Sequence, residues 1–377
     1  MLIRPVRVVV LQIHLHLAEP NAKLIINIVA VDTSSPRQRT QARRAWFMTS
    51  SQKGTPSSAV LLTNPDRSIS RRSLAHFAHK FAHKPPYMGQ FDPLPLDDSF
   101  YREDKVALVR EETGIQDPEA LKQHIIAAQK KAYAVKGFPC IRYFKFAWER
   151  ISDLPPYEEV LKLSHERDGA IFLDIGCCCG ADIRRVARDG WPTENMIAID
   201  LFADFWDVGH ELFCSTAETF PVAFLSGDAL DPSFLQPAAP LTSATQLTDS
   251  PPPLLASLTS LTPLNSHLSV IHVSSLFHLL SEPEQAQLAH SLAGLLSPLP
   301  GSLIFGIHAS RETTGLGPVD TSRTDGRKVF CHSPESWAVL WEGIFGEGMV
   351  KVEVESKKVE VRYDSGFSWL VWSVKRI

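Results

Sequence analysis

The sequence predicts an α/β fold: a mostly parallel seven-stranded sheet with helices on both faces, an antiparallel last strand and a helical cap before the first strand. Three observations predict it. From residue 166 onward, short apolar runs alternate with segments of helical apolar spacing, the pattern of strands joined by covering helices. The first of those runs ends in a glycine-containing turn. The last two runs are joined without a long helix, which calls for an antiparallel pair.

The elements follow in order. Residues 1–94 stand outside the pattern and read as a basic, low-complexity extension expected to be disordered. Segment 33–44 is rich in Ser, Pro and Arg, and 77–84 is a tandem FAHK repeat. His76, His79 and His83 fall at helical spacing and could form a metal-binding face. The plainer reading of a basic, partly helical segment outweighs it, and no metal is expected. Residues 95–165 read as a helical cap, with helices at 103–112, 118–136 (Leu121, Ile125, Ala128 and Ala132 on one face) and 157–164. Pro139 is expected to close the second.

Residues 166–377 then alternate. Strands are expected at 170–175, 196–200, 222–225, 268–273, 302–308, 350–355 and 368–375. Helices are expected at 181–189, 204–213, 282–296 and 334–345. A Pro/Ser/Thr-rich insertion, 236–267, interrupts the rhythm and reads equally as a solvated spacer or a lid.

Composition excludes several classes. The chain has 377 residues, 44% hydrophobic and 21% charged, which rules out wholesale disorder. The net charge of -4 hides a split: 1–90 carries thirteen Lys/Arg against three Asp/Glu, and the remainder twenty-five against thirty-nine. A basic head thus precedes an acidic body. The best apolar stretch, 6–31, is broken by Arg7, His14, His16, Glu19, Pro20 and Lys23, so no membrane span is expected. Six cysteines, three of them consecutive, suit a reduced, cytoplasmic setting. The Arg-rich head also has the composition of an organelle-targeting segment.

The chemistry is carried by the turn after the first strand, Asp174-Ile175-Gly176-Cys177-Cys178-Cys179-Gly180. A dinucleotide turn wants G-x-G-x-x-G, which is absent. A methyl-donor turn wants an acidic residue, a spacer, then G-x-G-x-G. Asp174, Gly176 and Gly180 match it, with Cys178 at the middle glycine. Asp200 ends the second strand, where a carboxylate can accept bonds from two ribose hydroxyls. Asp228, with Ala229 and Leu230, follows the third strand and suits an adenine ring. The three aspartates should converge on one crevice. Three adjacent cysteines cannot wrap one zinc ion.

With those residues in view, the segments LDIGCCCGADIRRVARDGWP, FWDVGHELF, FLSGDALDPSFL, IHVSSLFHLLSE and GSLIFGIHASR, and the prelude LDDSFY and GFPCIRYF, resemble class I S-adenosylmethionine-dependent methyltransferases. Within that Rossmann-like superfamily the resemblance is to fungal secondary-metabolism enzymes of meroterpenoid pathways, austinol and terretonin among them. It covers about residues 95–377. It implies S-adenosyl-L-methionine as cofactor, held by Asp174, Gly176, Cys178, Gly180, Asp200, Leu201, Asp228, Ala229 and Leu230. It further implies a small, apolar methyl acceptor, O-methylated and in the first instance a carboxylate. Phe205, Trp206 and His272 are candidates for the substrate pocket. A carboxylate needs no base, whereas a phenol would. His278 is then the first choice of base, ahead of His272, His308 and His332. Two alternatives stay open: a methyltransferase-like binding module without turnover, prompted by Cys178, and a nucleic-acid methyltransferase anchored by the basic head. No nucleic-acid partner is expected, because the body is acidic.

Overall fold

A computed structural model describes residues 94–247, 252–319, 328–358 and 368–377, and within 1–93 only the backbone of three strands. The chain divides into two units, 1–83 and 84–377.

In the first unit, β1 (Arg7–Leu15), β2 (Leu24–Asp32) and β3 (Ala59–Leu62) form an antiparallel sheet in the order β2-β1-β3. The expectation of a disordered head did not include these strands. Their runs of Val, Ile and Leu have the β-branched, apolar composition that pleated sheets favour. His76, His79 and His83 lie outside the described residues.

The second unit opens with helices α1 (Ala107–Thr113), α2 (Pro118–Val135), α3 (Pro139–Arg142) and α4 (Tyr157–Glu166). Asp117 caps α2 by accepting the Ala120 amide at 2.7 Å, with Pro118 as its first helical residue. Pro139 does not close α2, which already ends at Val135; it opens α3, where its missing N–H costs nothing. Gln129 in α2 binds the Ile141 and Arg142 carbonyls, both at 3.0 Å, and so holds α3 in place.

The main sheet comprises β4 (Ile171–Ile175), β5 (Met196–Asp200), β6 (Ala223–Ser226), β7 (Leu268–Val273), β8 (Leu303–Ser310), β11 (Val350–Lys358) and β12 (Ser368–Arg376). Its order is β11-β12-β8-β7-β4-β5-β6. β12 runs antiparallel to both its neighbours, and the pairs among β4 to β8 are parallel. The crossover helices are α5 (Ala181–Arg188), α6 (Ala203–Leu212), α7 (Glu282–Leu295) and α8 (Pro334–Phe345). The seven expected strands and their directions are therefore present. A pair not foreseen, β9 (Gly315–Val319) and β10 (Lys328–Cys331), forms a separate two-stranded sheet. Two glycines in GLGPV concealed β9, since glycine carries no strand signal.

Apolar side chains fill both faces of the main sheet. Ile171, Leu173 and Ile175 share one core with β7, α7 and α8, while Phe172 faces a second core with Trp191, Ala198 and Val270. A third core joins α1, α2 and α3 to Cys179, Ala181, Phe205, Val208 and Leu212. His124 Nε2 meets the Leu212 carbonyl at 2.8 Å, and Asp182 accepts the Arg150 and Ile151 amides at 2.6 and 2.9 Å. The helical prelude is thereby fastened to α5 and α6, the helices that follow β4 and β5. The insertion 236–267 contains 3-10 turns at Ala244–Gln246, Leu255–Ser257 and Thr262–Leu264. Leu255, Leu258, Leu261 and Leu264 are buried in the first core, so 255–264 packs as an apolar brace, whereas 236–247 is mostly exposed.

β8 approaches β7 closely at Gly306, where an added Cβ would overlap the Val273 carbonyl. Gly306→Ala is expected to cost about 1–3 kcal/mol through overpacking. A circular-dichroism melt reads it as a drop of several degrees, and an unchanged melting temperature would refute the tight β7–β8 approach.

Candidate functional site

Parallel strands leave their carboxyl ends on one edge, and crossover turns there expose backbone to ligands. In this chain the ends of β4, β5 and β6 and the turn after β7 border a cleft of about 450 Å³, counted to its open mouth. Ligand pockets of this kind are mainly apolar with a few placed polar groups. Ile175, Ile199, Leu276, Leu279, Leu280 and Leu288 supply the apolar wall, and Asp200 and Asp228 are its two carboxylates.

The turn after β4 has left-handed backbone at alternate residues: Gly176 (φ 73°), Cys178 (φ 51°) and Gly180 (φ 74°). Glycine takes that conformation freely. Cysteine does not, and its retention costs on the order of 1 kcal/mol. Gly180 is also required sterically, because a Cβ there would stand 2.8 Å from Cζ3 of Trp206. Burial holds the Cys177 thiol well above the usual thiol range, and the contact of the Cys178 thiol with Cys179, with burial second, does the same for Cys178, so both stay protonated at neutral pH.

Asp200 secures this turn. Its Oδ2 accepts the Cys178 amide and its Oδ1 the Phe202 amide, each at 2.9 Å. A carboxylate has about four acceptor sites, and these two amides do not fill them. Burial pushes its pKa up to about 6, against the pull of those amides. Asp228 Oδ1 accepts the Leu230 amide at 2.9 Å and shapes the turn after β6. Gly227 is tied to the Asp200 carbonyl at 3.1 Å, and a Cβ on it would overlap the Phe234 ring.

Asp174 is buried beside the cleft and absent from its wall. Register pairs Asp174 with His272 across β4 and β7. Oδ1 accepts from His272 Nδ1 at 2.8 Å, and His272 Nε2 lies 2.7 Å from the Ser274 hydroxyl. Burial tends to uncharge both partners. It raises Asp174, with His272 opposing; on His272 the neighbouring carboxylate outweighs burial, and its pKa stands above the usual imidazole value. Asp174 Oδ2 has no hydrogen-bond partner among the described residues.

Of the residues singled out in the sequence, Gly176, Asp200, Leu201, Asp228, Ala229 and Leu230 line the cleft. Cys178 and Gly180 shape its turn from behind. Phe205 is buried among the prelude aromatics, 6.2 Å from Phe138. Trp206 is stacked on Phe224 at 4.9 Å and braces Gly180. Neither lines the cleft, because a helix directly after a turn presents its large apolar residues to the core. His272 is likewise buried in the sheet. His278 is half-buried, its ring 6.1 Å from Trp369. His308 is buried and accepts from Trp372 Nε1 at 3.0 Å, and burial holds its pKa well below the usual range. His332 is pushed down to about 4 by burial and bonds Ser336 at 2.9 Å. Both belong to an aromatic core around Trp337. Leu276, Leu279, Leu280 and Leu288 line the cleft without having been singled out individually; the apolar residues of SSLFHLL were the signal for the first three, and the helix expected at 282–296 carries the fourth.

The model of the meroterpenoid methyltransferase N-terminal domain matches residues 95–147. The O-methyltransferase phiE of a fungal species is 29% identical over 245 residues, 64% of this chain and 71% of that protein. The methyltransferases ausD and prhM of Penicillium brasilianum are each 27% identical, covering 62% of this chain and 73% of either relative.

Two outcomes test the site. The Asp200 carboxyl, raised from 3.8 to about 6 in the folded protein, stabilises the fold fully below pH 4 and loses that contribution as pH rises to about 6. Urea unfolding of Asp200→Asn should therefore show a stability difference from the parent that shifts in the variant's favour between those values and is flat above them. At the left-handed turn, Cys178→Val should melt below Cys178→Gly, by the equivalent of about 1 kcal/mol or more, because β-branching is least tolerated at positive φ.

Proposed function

We infer that this chain is an S-adenosylmethionine-dependent methyltransferase of fungal secondary-metabolism type, O-methylating a small, largely apolar metabolite, with a carboxylate as the first acceptor class. One observation carries this reading: an apolar cleft at the ends of β4, β5 and β6 with Asp200 and Asp228 on its wall beside a left-handed glycine turn. The relatives support it, phiE by its name as an O-methyltransferase and the others as methyltransferases.

The residues present fit the cofactor. Asp200 keeps acceptor sites for a ribose diol, and Ala229, Leu230, Leu279 and Leu280 offer an apolar bed for a purine beside Asp228. The unpartnered Asp174 Oδ2 suits an ammonium or a bridging water near Gly176. The cofactor, when bound, supplies an electrophilic methyl group on a sulfonium. The chain's part is then to orient the acceptor and exclude water. Six leucines on the cleft wall limit water at the site, and a drier site strengthens the nucleophilicity of an oxyanion.

A hydroxyl acceptor is the second reading, and the Asp174–His272–Ser274 chain favours it. Asp174 fixes the Nδ1–H tautomer, leaving His272 Nε2 to receive a proton through the Ser274 hydroxyl. His272→Gln would then abolish turnover of phenols and alcohols and spare that of carboxylic acids.

Calorimetry with S-adenosylhomocysteine tests the main reading. The parent should bind it, and Asp200→Ala should weaken binding about 10- to 100-fold, the worth of hydrogen bonds to a charged group. No binding by the folded parent would sink the methyltransferase reading.

A further inference from the structure

Lys145 opens a 3-10 turn, Lys145–Ala147, and Arg150 precedes another, Ile151–Asp153. Both reach the same ring. Lys145 Nζ stands 5.2 Å and Arg150 Cζ 5.3 Å from the centroid of Trp369 on β12. Neither side chain has an ion-pair partner among the described residues. Asp182, the strongest acidic influence on Arg150, uses Oδ1 for the backbone amides of Arg150 and Ile151, and Asp153 acts more weakly. Both cations are half-buried. Burial first, and the charge of Arg150 second, push the pKa of Lys145 down to about 8.

Two unpaired, partly desolvated cations beside each other are unfavourable, and one indole ring offsets only part of that cost. An anion would remove the rest. Ring contacts lead from the cations toward the cleft-bearing segment after β7. Trp369 meets the edge of His278, which lies between the cleft residues Leu276 and Leu279. Arg150 opposes the charging of His272, and Lys145 and Cys140 act on each other, with Cys140 in turn within the influence of Cys178 and Asp200.

We propose that Lys145 and Arg150 recognise the carboxylate of the methyl acceptor, with Trp369 as the apolar surface beneath it. This rests on the reading of the chain as an O-methyltransferase. A carboxylate can give one oxygen to the cations and keep the other as nucleophile. An alcohol or an ester brings no charge and leaves the cations unpaired, so the pair selects acids over their neutral analogues. The ester product is neutral, loses the pairing and departs. The competing source of a carboxylate is the methionine portion of the cofactor, and the experiment separates the two.

Lysine acetylation of the full chain at pH 8, read by mass spectrometry, reports Lys145 directly. It is run alone, with S-adenosylhomocysteine, and with S-adenosylhomocysteine plus farnesoic, abietic or oleanolic acid, each beside its methyl ester. The proposal expects at least one acid to slow Lys145 modification several-fold, its ester to do nothing, and S-adenosylhomocysteine alone to do little. Calorimetry on Lys145→Met should then show affinity for that acid reduced about tenfold or more, recovered in Lys145→Arg, with S-adenosylhomocysteine affinity unchanged. Protection by S-adenosylhomocysteine alone, with its affinity lost in Lys145→Met, would assign the cations to the cofactor and overturn the proposal. Equal protection by acid and ester, or none by any acid, overturns it as well. If S-adenosylhomocysteine fails to bind the parent, the methyltransferase reading falls first, a result distinct from intact cofactor binding with an unresponsive Lys145.

Discussion

The grip of one carboxylate on two backbone amides organises the whole cleft. Asp200 ends β5 and accepts from Cys178 in the turn after β4 and from Phe202 before α6. Its own carbonyl accepts the Gly227 amide at the start of the turn after β6. One residue thus joins the three turns that form the lip of the site. Gathering them buries the carboxylate, and burial pushes its pKa up to about 6. A ligand that donates hydrogen bonds to the carboxylate would offset that burial cost.

The other side of the turn is sealed by packing. Cys179 is buried in the core formed by α1, α2 and α6, and Gly209 of α6 lies so close that a Cβ would overlap the Cys179 carbonyl. Trp206 presses on Gly180 from the same helix. The prelude therefore supports the turn through its packing on Cys179, Ala181 and α6. Asp174 plays a different part from Asp200. Locked to His272 across the β4–β7 register and through it to Ser274, it belongs to the interior of the sheet, with Oδ2 unpartnered among the described residues.

Much of this was legible in the sequence. The seven strands could be read because each buried strand is a short apolar run with turn residues at its ends, and β11 and β12 could be paired because no helix separates them. The cleft aspartates Asp200 and Asp228 could be read because a carboxylate directly after a strand must lie at the carboxyl edge. The aromatic and histidine candidates were less legible. Phe205 and Trp206 carry the composition of a binding surface and of a core alike, and only their neighbours distinguish the two. His308 and His332 sit near strand ends as a base would, yet both are enclosed by tryptophans that hold their pKa values low.

What the sequence by itself determined is set by local chemistry: the order and type of elements, the left-handed turn demanded by Gly176 and Gly180, and the aspartates at consecutive strand ends. The tertiary structure decided what depends on residues far apart in the chain. Trp369 lies more than two hundred positions beyond Lys145 and Arg150, so no spacing rule links it to them. The Asp174–His272–Ser274 chain likewise exists because β4 and β7 are neighbours in a sheet whose order departs from chain order. Charge compensation, desolvation and hydrogen-bond partnership act through space, and only folding brings these groups within reach of one another.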